Sequence, residues 1–195
     1  MARRTRPTRP IKPLHLFICE DAKSSKFYMA GLGKSHNINL KAENCYGTSP
    51  ENILRAAEEK RALFPDTGTA TIYCLFDKDD CEDAKFKKVI ATCKEKDIVP
   101  AISVPCYEYW LLLHLKKTDK AFKDAKECCE EFKNTYNKEF HTDYTIKQLK
   151  SRKEIFEDLK DRLKSAIQNA ESLNLDEKES PYTNMHEVIK SLIED

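Results

Sequence analysis

The chain has 195 residues, 34 basic and 33 acidic side chains, and a formal net charge of +1. That length suits one α/β domain with a helical addition; near-neutrality excludes a protein that coats nucleic acid indiscriminately, yet permits a local basic patch. With 4 glycines the chain holds neither a G-x-G-x-x-G nor a G-x-x-x-x-G-K-[ST] loop, which excludes the usual dinucleotide and P-loop phosphate cradles.

Residues 1–13 contain three prolines and five basic residues, Arg3 and Arg4 among them, and are expected to be a flexible basic leader. The run from Leu14 to Cys19 reads as a buried strand that stops on a carboxylate, Glu20. Residues 22–32 read as a helix with Phe27, Tyr28 and Leu32 on one side and Gly33 as its stop. Residues 37–44 alternate apolar and polar side chains as a second strand would. Ser49 reads as an N-cap and Pro50 as the first position of a helix that runs to about residue 63. The third strand, Ala70 to Phe76, runs straight into Asp77-Lys78-Asp79-Asp80. Residues 83–96 space Phe86, Val89, Ile90 and Cys93 as a helix does, and 98–103 form a short fourth strand.

Beyond Pro105 only helices are expected: an apolar one over 107–115, charged amphipathic ones over 120–136 and 151–173, and a last one over 185–193. The strand–helix alternation predicts an α/β fold with a four-stranded, mainly parallel sheet flanked by helices over 14–115. A helical extension, 116–195, packs on that core. Right-handed crossovers put every strand's carboxyl end on one edge.

The 8 cysteines include no C-x-x-C pair, and Cys19, Cys74 and Cys106 sit in or beside apolar runs where a free thiol packs as a small hydrophobe. No secretory signal precedes the first strand, and no run is long and apolar enough for a membrane span. Reduced thiols and a cytoplasmic location are expected.

Ligands of open α/β sheets bind outside the carboxyl ends of the strands. Glu20, Asp77 and Asp79 meet at that edge, where their mutual repulsion calls for a cation, and oxygen ligands of this kind suit Mg²⁺ or Mn²⁺. Asp77 and Asp79 have D-x-D spacing, and Glu20 would be a third ligand or a general base. The plain alternative is that Asp79 or Asp80 caps the next helix and Glu20 merely ends a strand. Glu108, in an unusually apolar helix, must be paired, hydrogen-bonded or metal-bound. His114 reads as a structural histidine and Trp110 as core. Two readings stand for Lys23, a phosphate contact at the same edge or a solvated helix lysine. Two also stand for Arg3, Arg4 and their neighbours: a nucleic-acid contact or a solubilising tail.

These residues resemble a known family. A strand ending in Cys19-Glu20 with Lys23 three further on looks like the opening of a Toprim domain, and Phe76-Asp77-Lys78-Asp79 looks like its second signature. The basic leader, the block from Ser103 to His114 and Thr183-Asn184-Met185-His186 make the chain similar to the RloB-like family. The resemblance departs at Glu20-Asp21-Ala22, where the family usually has Glu-Gly-Glu. It implies a Toprim-like, Rossmann-like fold and a Mg²⁺-dependent nuclease acting on RNA such as tRNA, or on DNA. It also implies antiphage, abortive-infection defence beside an AAA-type ATPase partner. The carried-over catalytic set is Glu20, Asp77 and Asp79, with Glu108 as an additional acid. The competing reading is a non-catalytic adaptor that docks on the ATPase through its C-terminal helices, on the evidence of the amphipathic surface over 151–173. A nucleotide-binding reader is a third, weakened by the missing glycines.

Overall fold

The computed structural model describes residues 12–20, 23–45, 47, 49–66, 68–78, 81–173 and 180–194. The leader arginines Arg3 and Arg4, and Asp79, lie outside the described residues. The strands are β1 (Leu14–Cys19), β2 (Leu40–Asn44), β3 (Ala70–Asp77), β4 (Ile98–Val104) and β5 (Tyr182–Thr183). The helices of the first half are α1 (Lys23–His36), α2 (Pro50–Leu63), α3 (Asp83–Glu95) and α4 (Glu108–Leu115). Those of the second are α5 (Ala125–Phe140), α6 (Ile146–Lys150), α7 (Ile155–Leu159), α8 (Leu163–Leu173) and α9 (Met185–Glu194), with a 3-10 turn, Lys160–Arg162, joining α7 to α8.

The α/β class holds, but the sheet has five strands rather than four, in the order β2-β1-β3-β4-β5. The first four run parallel and β5 is antiparallel at the edge of β4. A two-residue strand is too short to show a period of its own, so β5 is invisible in the sequence. Side chains fasten it. Asn184 Oδ1 accepts from the Ile102 N–H at 2.7 Å and its Nδ2 donates to the Pro100 carbonyl at 2.9 Å. Thr183 Oγ1 donates to the Ile102 carbonyl at 3.0 Å and lies 3.1 Å from Ser103 Oγ. The Thr183-Asn184 pair is thus a clamp on an otherwise open sheet edge.

Strand alternation sorts the apolar side chains to two faces. Leu16, Ile18, Ile72, Cys74, Phe76, Ile98 and Ile102 share one cluster with residues of α2 and α3. Phe17, Tyr73, Leu75 and Ala101 share the other with residues of α1, α4, α5, α7, α8 and α9. Only α1 of the three crossovers lies on this second face, so the part over β3 and β4 needs other cover. Helix α4 and the C-terminal helices supply it, packed around Trp110, Leu111, Leu112, Phe132, Phe156 and Ile189. The apolar residues of 151–173 are therefore spent inside the chain: Ile155, Phe156, Leu159 and Leu163 are buried and Ile167 packs against the same core. The feature that favoured an adaptor is internal packing.

Three expectations need correction. Gly33 does not stop α1, which continues to His36 and ends on Asn37 in the left-handed region (φ 55°). A Cβ at Gly33 would stand 2.9 Å from Leu40 Cβ, so the glycine lets helix and β2 approach closely. The single helix over 151–173 is broken, because its two halves serve different partners: α7 packs on α1 and α8 on α4. Helix α5 begins at Ala125 rather than 120, where the Asp124 side chain accepts from the Glu127 N–H at 2.8 Å.

Asn184→Ala leaves a buried N–H of β4 and a carbonyl without partners. It is expected to cost about 2 kcal/mol, measured by urea unfolding; a loss under a few tenths would remove the clamp.

Candidate functional site

The strand order reverses between β1 and β3, since the chain leaves β1 through α1 toward β2 and leaves β3 through α3 toward β4. Such a switch point opens a crevice at the carboxyl ends of the two strands. Cys19 pairs with Leu75, so Glu20 follows β1 level with the end of β3, where Asp77 is the last residue. Asp77 continues the row of Tyr73 and Leu75, on the face that α1 and α4 cover. It also pairs with Ser103 of β4, and the turn after that strand leads through Tyr107 into Glu108, the first residue of α4.

Glu108 is 2% exposed and almost fully engaged. Ser24 Oγ donates to its Oε1 at 2.9 Å, the Cys129 thiol donates to Oε2 at 3.5 Å, and Lys150 Nζ lies 3.5 Å from the same oxygen. Asp77 is different. As a residue it is partly exposed, yet its Oδ1 is fully buried and has no hydrogen-bond partner among the described residues. Burial first, then the Glu108 and Glu20 charges, push the Asp77 carboxyl well above the usual carboxylate range; Lys150 and the Tyr107 backbone N–H oppose the shift. The charges of Glu20 and Glu108 thus both act on Asp77, although the ligand atoms of these three acids do not all lie within 4.8 Å of one another.

A hard divalent cation fits this donor set. It would satisfy the orphaned Asp77 oxygen and remove the repulsion that raises its pKa. Asp77 and Glu20 are the described residues suited to hold it, and Asp79 lies outside them. Lys23 opens α1, exposed, and lines a cavity of about 490 Å³ whose wall also includes Lys150.

His114 is structural. Its Nδ1–H donates to the Trp110 carbonyl at 3.0 Å and its Nε2 accepts from the Tyr28 hydroxyl at 2.9 Å. Burial lowers its pKa to about 4. Cys106 is buried but does more than fill space: its Sγ lies 3.9 Å from Cys129 Sγ, and Cys106, Glu108 and Cys129 bring ligand atoms within 4.8 Å of one another. Ser24, Cys129 and Lys150 were missed by sequence reasoning. The one local hint was Ser24-Ser25, two small polar residues on an otherwise apolar helix face, both buried. Nothing near Lys150 in the chain points to Glu108.

Comparison with known proteins gives a family. The model of the RloB-like protein family matches residues 15–192, and the chain belongs to that family. No curated protein matches it. Among solved structures, a de novo designed Rossmann fold protein is similar at 20% identity and a TM-score of 0.32, covering 47% of this chain and 84% of its own. A likeness that low adds nothing to the strand pairing described above.

An acid whose folded pKa is raised keeps its proton where the unfolded chain has lost it, so stability falls as pH rises from the ordinary carboxylate value toward the raised one. Metal-free protein should therefore lose stability relative to Asp77→Asn as pH climbs from about 4. At neutral pH the variant should be the more stable of the two. Urea unfolding in EDTA across that range tests it; parallel pH profiles would mean that Asp77 carries no such shift.

Proposed function

We propose that the protein is a metal-dependent nuclease of Toprim type that hydrolyses phosphodiester bonds in RNA, such as tRNA, or in DNA. The observation that carries this reading is the buried, unpartnered Asp77 oxygen beside Glu108 and Glu20 at the switch point of the sheet. Glu20, Asp77 and Asp79 would hold Mg²⁺ or Mn²⁺. Once bound, the ion supplies a Lewis acid for phosphate oxygens and lowers the pKa of water in its shell.

The chain's own groups then have separate tasks. Asp77 must give up its proton before it can serve as a ligand, and Lys150 with the Tyr107 N–H favours that loss. Glu20, partly exposed, would accept a proton from an attacking water. Glu108 is the additional acid; Ser24 and Lys150 fix its orientation, so that its charge bears on Asp77. Lys23, with Arg3 and Arg4 of the leader, would contact the phosphates of the substrate. Family membership supports a role in antiphage, abortive-infection defence with an AAA-type ATPase partner in the cytoplasm. No helix among the described residues is long and apolar enough to cross a membrane.

Purified protein is expected to cut tRNA or plasmid DNA with Mg²⁺ or Mn²⁺ and not in EDTA. Glu20→Gln and Asp77→Asn should each lower the rate by at least about 10²-fold. Nucleic acid left intact in every condition, including with the co-expressed ATPase, would end the proposal.

A further inference from the structure

The cavity beside the carboxylates has a wall unlike the rest of the site. Its volume is about 490 Å³, and Lys23 of α1, Lys126 of α5, and Lys147 and Lys150 of α6 surround it. Among the described residues Lys23, Lys126 and Lys147 are exposed and take part in no ion pair, as is also true of Lys87 and Lys94 on α3, but these three share a cavity with Lys150, which reaches the carboxylates. The acidic residue on the cavity wall, Glu130, is already paired with Lys133. Lys150 reaches inward to Glu108, and its charge is felt by Asp77. Ala125 and Ile146 complete an apolar part of the wall.

We propose that this cavity is the seat of a nucleic-acid backbone: Lys23, Lys126 and Lys147 take a phosphodiester flanking the one presented to Asp77 and Glu20. The inference rests on the nuclease reading and extends it to a substrate-binding surface. Three exposed ammonium groups lining one concavity give it a positive field, and a polyanion seated there releases its own counterions. Lys150 links the cavity to the carboxylates, so an anion seated there lies one side chain away from the Glu108–Asp77 pair. The apolar wall offers a surface to a sugar or base edge, which an unpaired strand exposes and a duplex does not. A single strand is therefore the substrate that fits.

The test separates binding from cleavage. Fluorescein-labelled single-stranded RNA and DNA oligonucleotides are titrated with protein in EDTA and in Ca²⁺, and anisotropy is followed over a KCl series. Lys126→Ala/Lys147→Ala removes two exposed side chains, so folding is not at issue. It should weaken binding at least tenfold and lower the slope of log affinity against log salt by roughly 1.4, at about 0.7 per single-strand phosphate contact. Lys87→Ala/Lys94→Ala, on α3 against the opposite sheet face, should change neither. Wild-type affinity and slope in the first variant, an equal loss in the second, or no binding by the wild-type protein would each overturn the proposal. Cleavage in Mn²⁺ at saturating oligonucleotide is scored apart. Residual cleavage by the Lys126/Lys147 variant with unchanged binding sinks the cavity and spares the nuclease; binding without cleavage by any protein does the reverse.

Discussion

Two carboxyl groups whose charges act on each other, the buried Glu108 and the partly buried Asp77, are the constraint to which the rest of this structure answers. In a low-dielectric interior a lone carboxylate takes up a proton or finds partners, because the cost of an unpaired buried charge exceeds what packing returns. The two groups are treated unequally. Glu108 receives a hydroxyl, a thiol and an ammonium group. Asp77 receives one backbone N–H, its Oδ1 has no hydrogen-bond partner among the described residues, and the charges of two other acids act on it. An added positive charge therefore gains most at Asp77. Without a cation the asymmetry is met by a proton on Asp77.

Holding Glu108 in place takes the second half of the chain. Lys150 stands at the end of a five-residue helix, too short to be stable by itself, and a sequence of local contacts fixes it. Helix α5 closes on His141 in the left-handed region. Asn137 then brackets the loop, accepting from the Thr142 hydroxyl and the Tyr144 N–H and donating to the Tyr144 carbonyl. Thr145 and Gln148 form a reciprocal capping box that starts α6. Beyond it, Arg152 is held by Asp158, which also accepts from the Tyr136 hydroxyl. The helices after α4 thus have two physical roles. They cover the sheet face that the crossovers leave open, and they deliver Lys150, the cation that meets Glu108 among the described residues.

What could be read in the sequence was what depends on short spans. Apolar runs ending on Glu20 and Asp77 are local, and so are the Ser49-Pro50 helix start and the periodicity of α3; each appears in the fold as expected. Parallel pairing and right-handed crossovers then leave little freedom about where the strand ends meet. What failed depended on contacts between distant segments. Gly33 looks like a helix stop until β2 is seen packed against it. The 151–173 pattern looks like one helix until its halves are seen on different neighbours. Glu108 was legible as a buried acid needing a partner, but the partner was not, since a lysine among many carries no local mark. Asp79, Arg3 and Arg4 lie outside the described residues, so the second half of the D-x-D motif and the leader stay with the sequence reading.

Cys106, Glu108 and Cys129 also have the look of a ligand set, softer than the carboxylates beside it. The two sets differ in what an arriving ion must displace. Contact with Cys128 and burial push the Cys106 thiol up, and contact with Cys106 and burial do the same to Cys129, so both stand protonated and poorly disposed to bind metal. Burial works against the charge of Lys150, but Glu108 and the thiols more than offset it and keep the ammonium group charged 3.5 Å from the oxygen an ion would want. Filling the soft set means losing two thiol protons and expelling a cation from a buried acid. Filling the hard set means losing one proton, that of Asp77, against the burial and the neighbouring charges that hold it there. With Lys150 in place Glu108 already has its cation, whereas Asp77 Oδ1 has no hydrogen-bond partner among the described residues, and that difference is why the proposed ion is assigned to Asp77 rather than to the thiols.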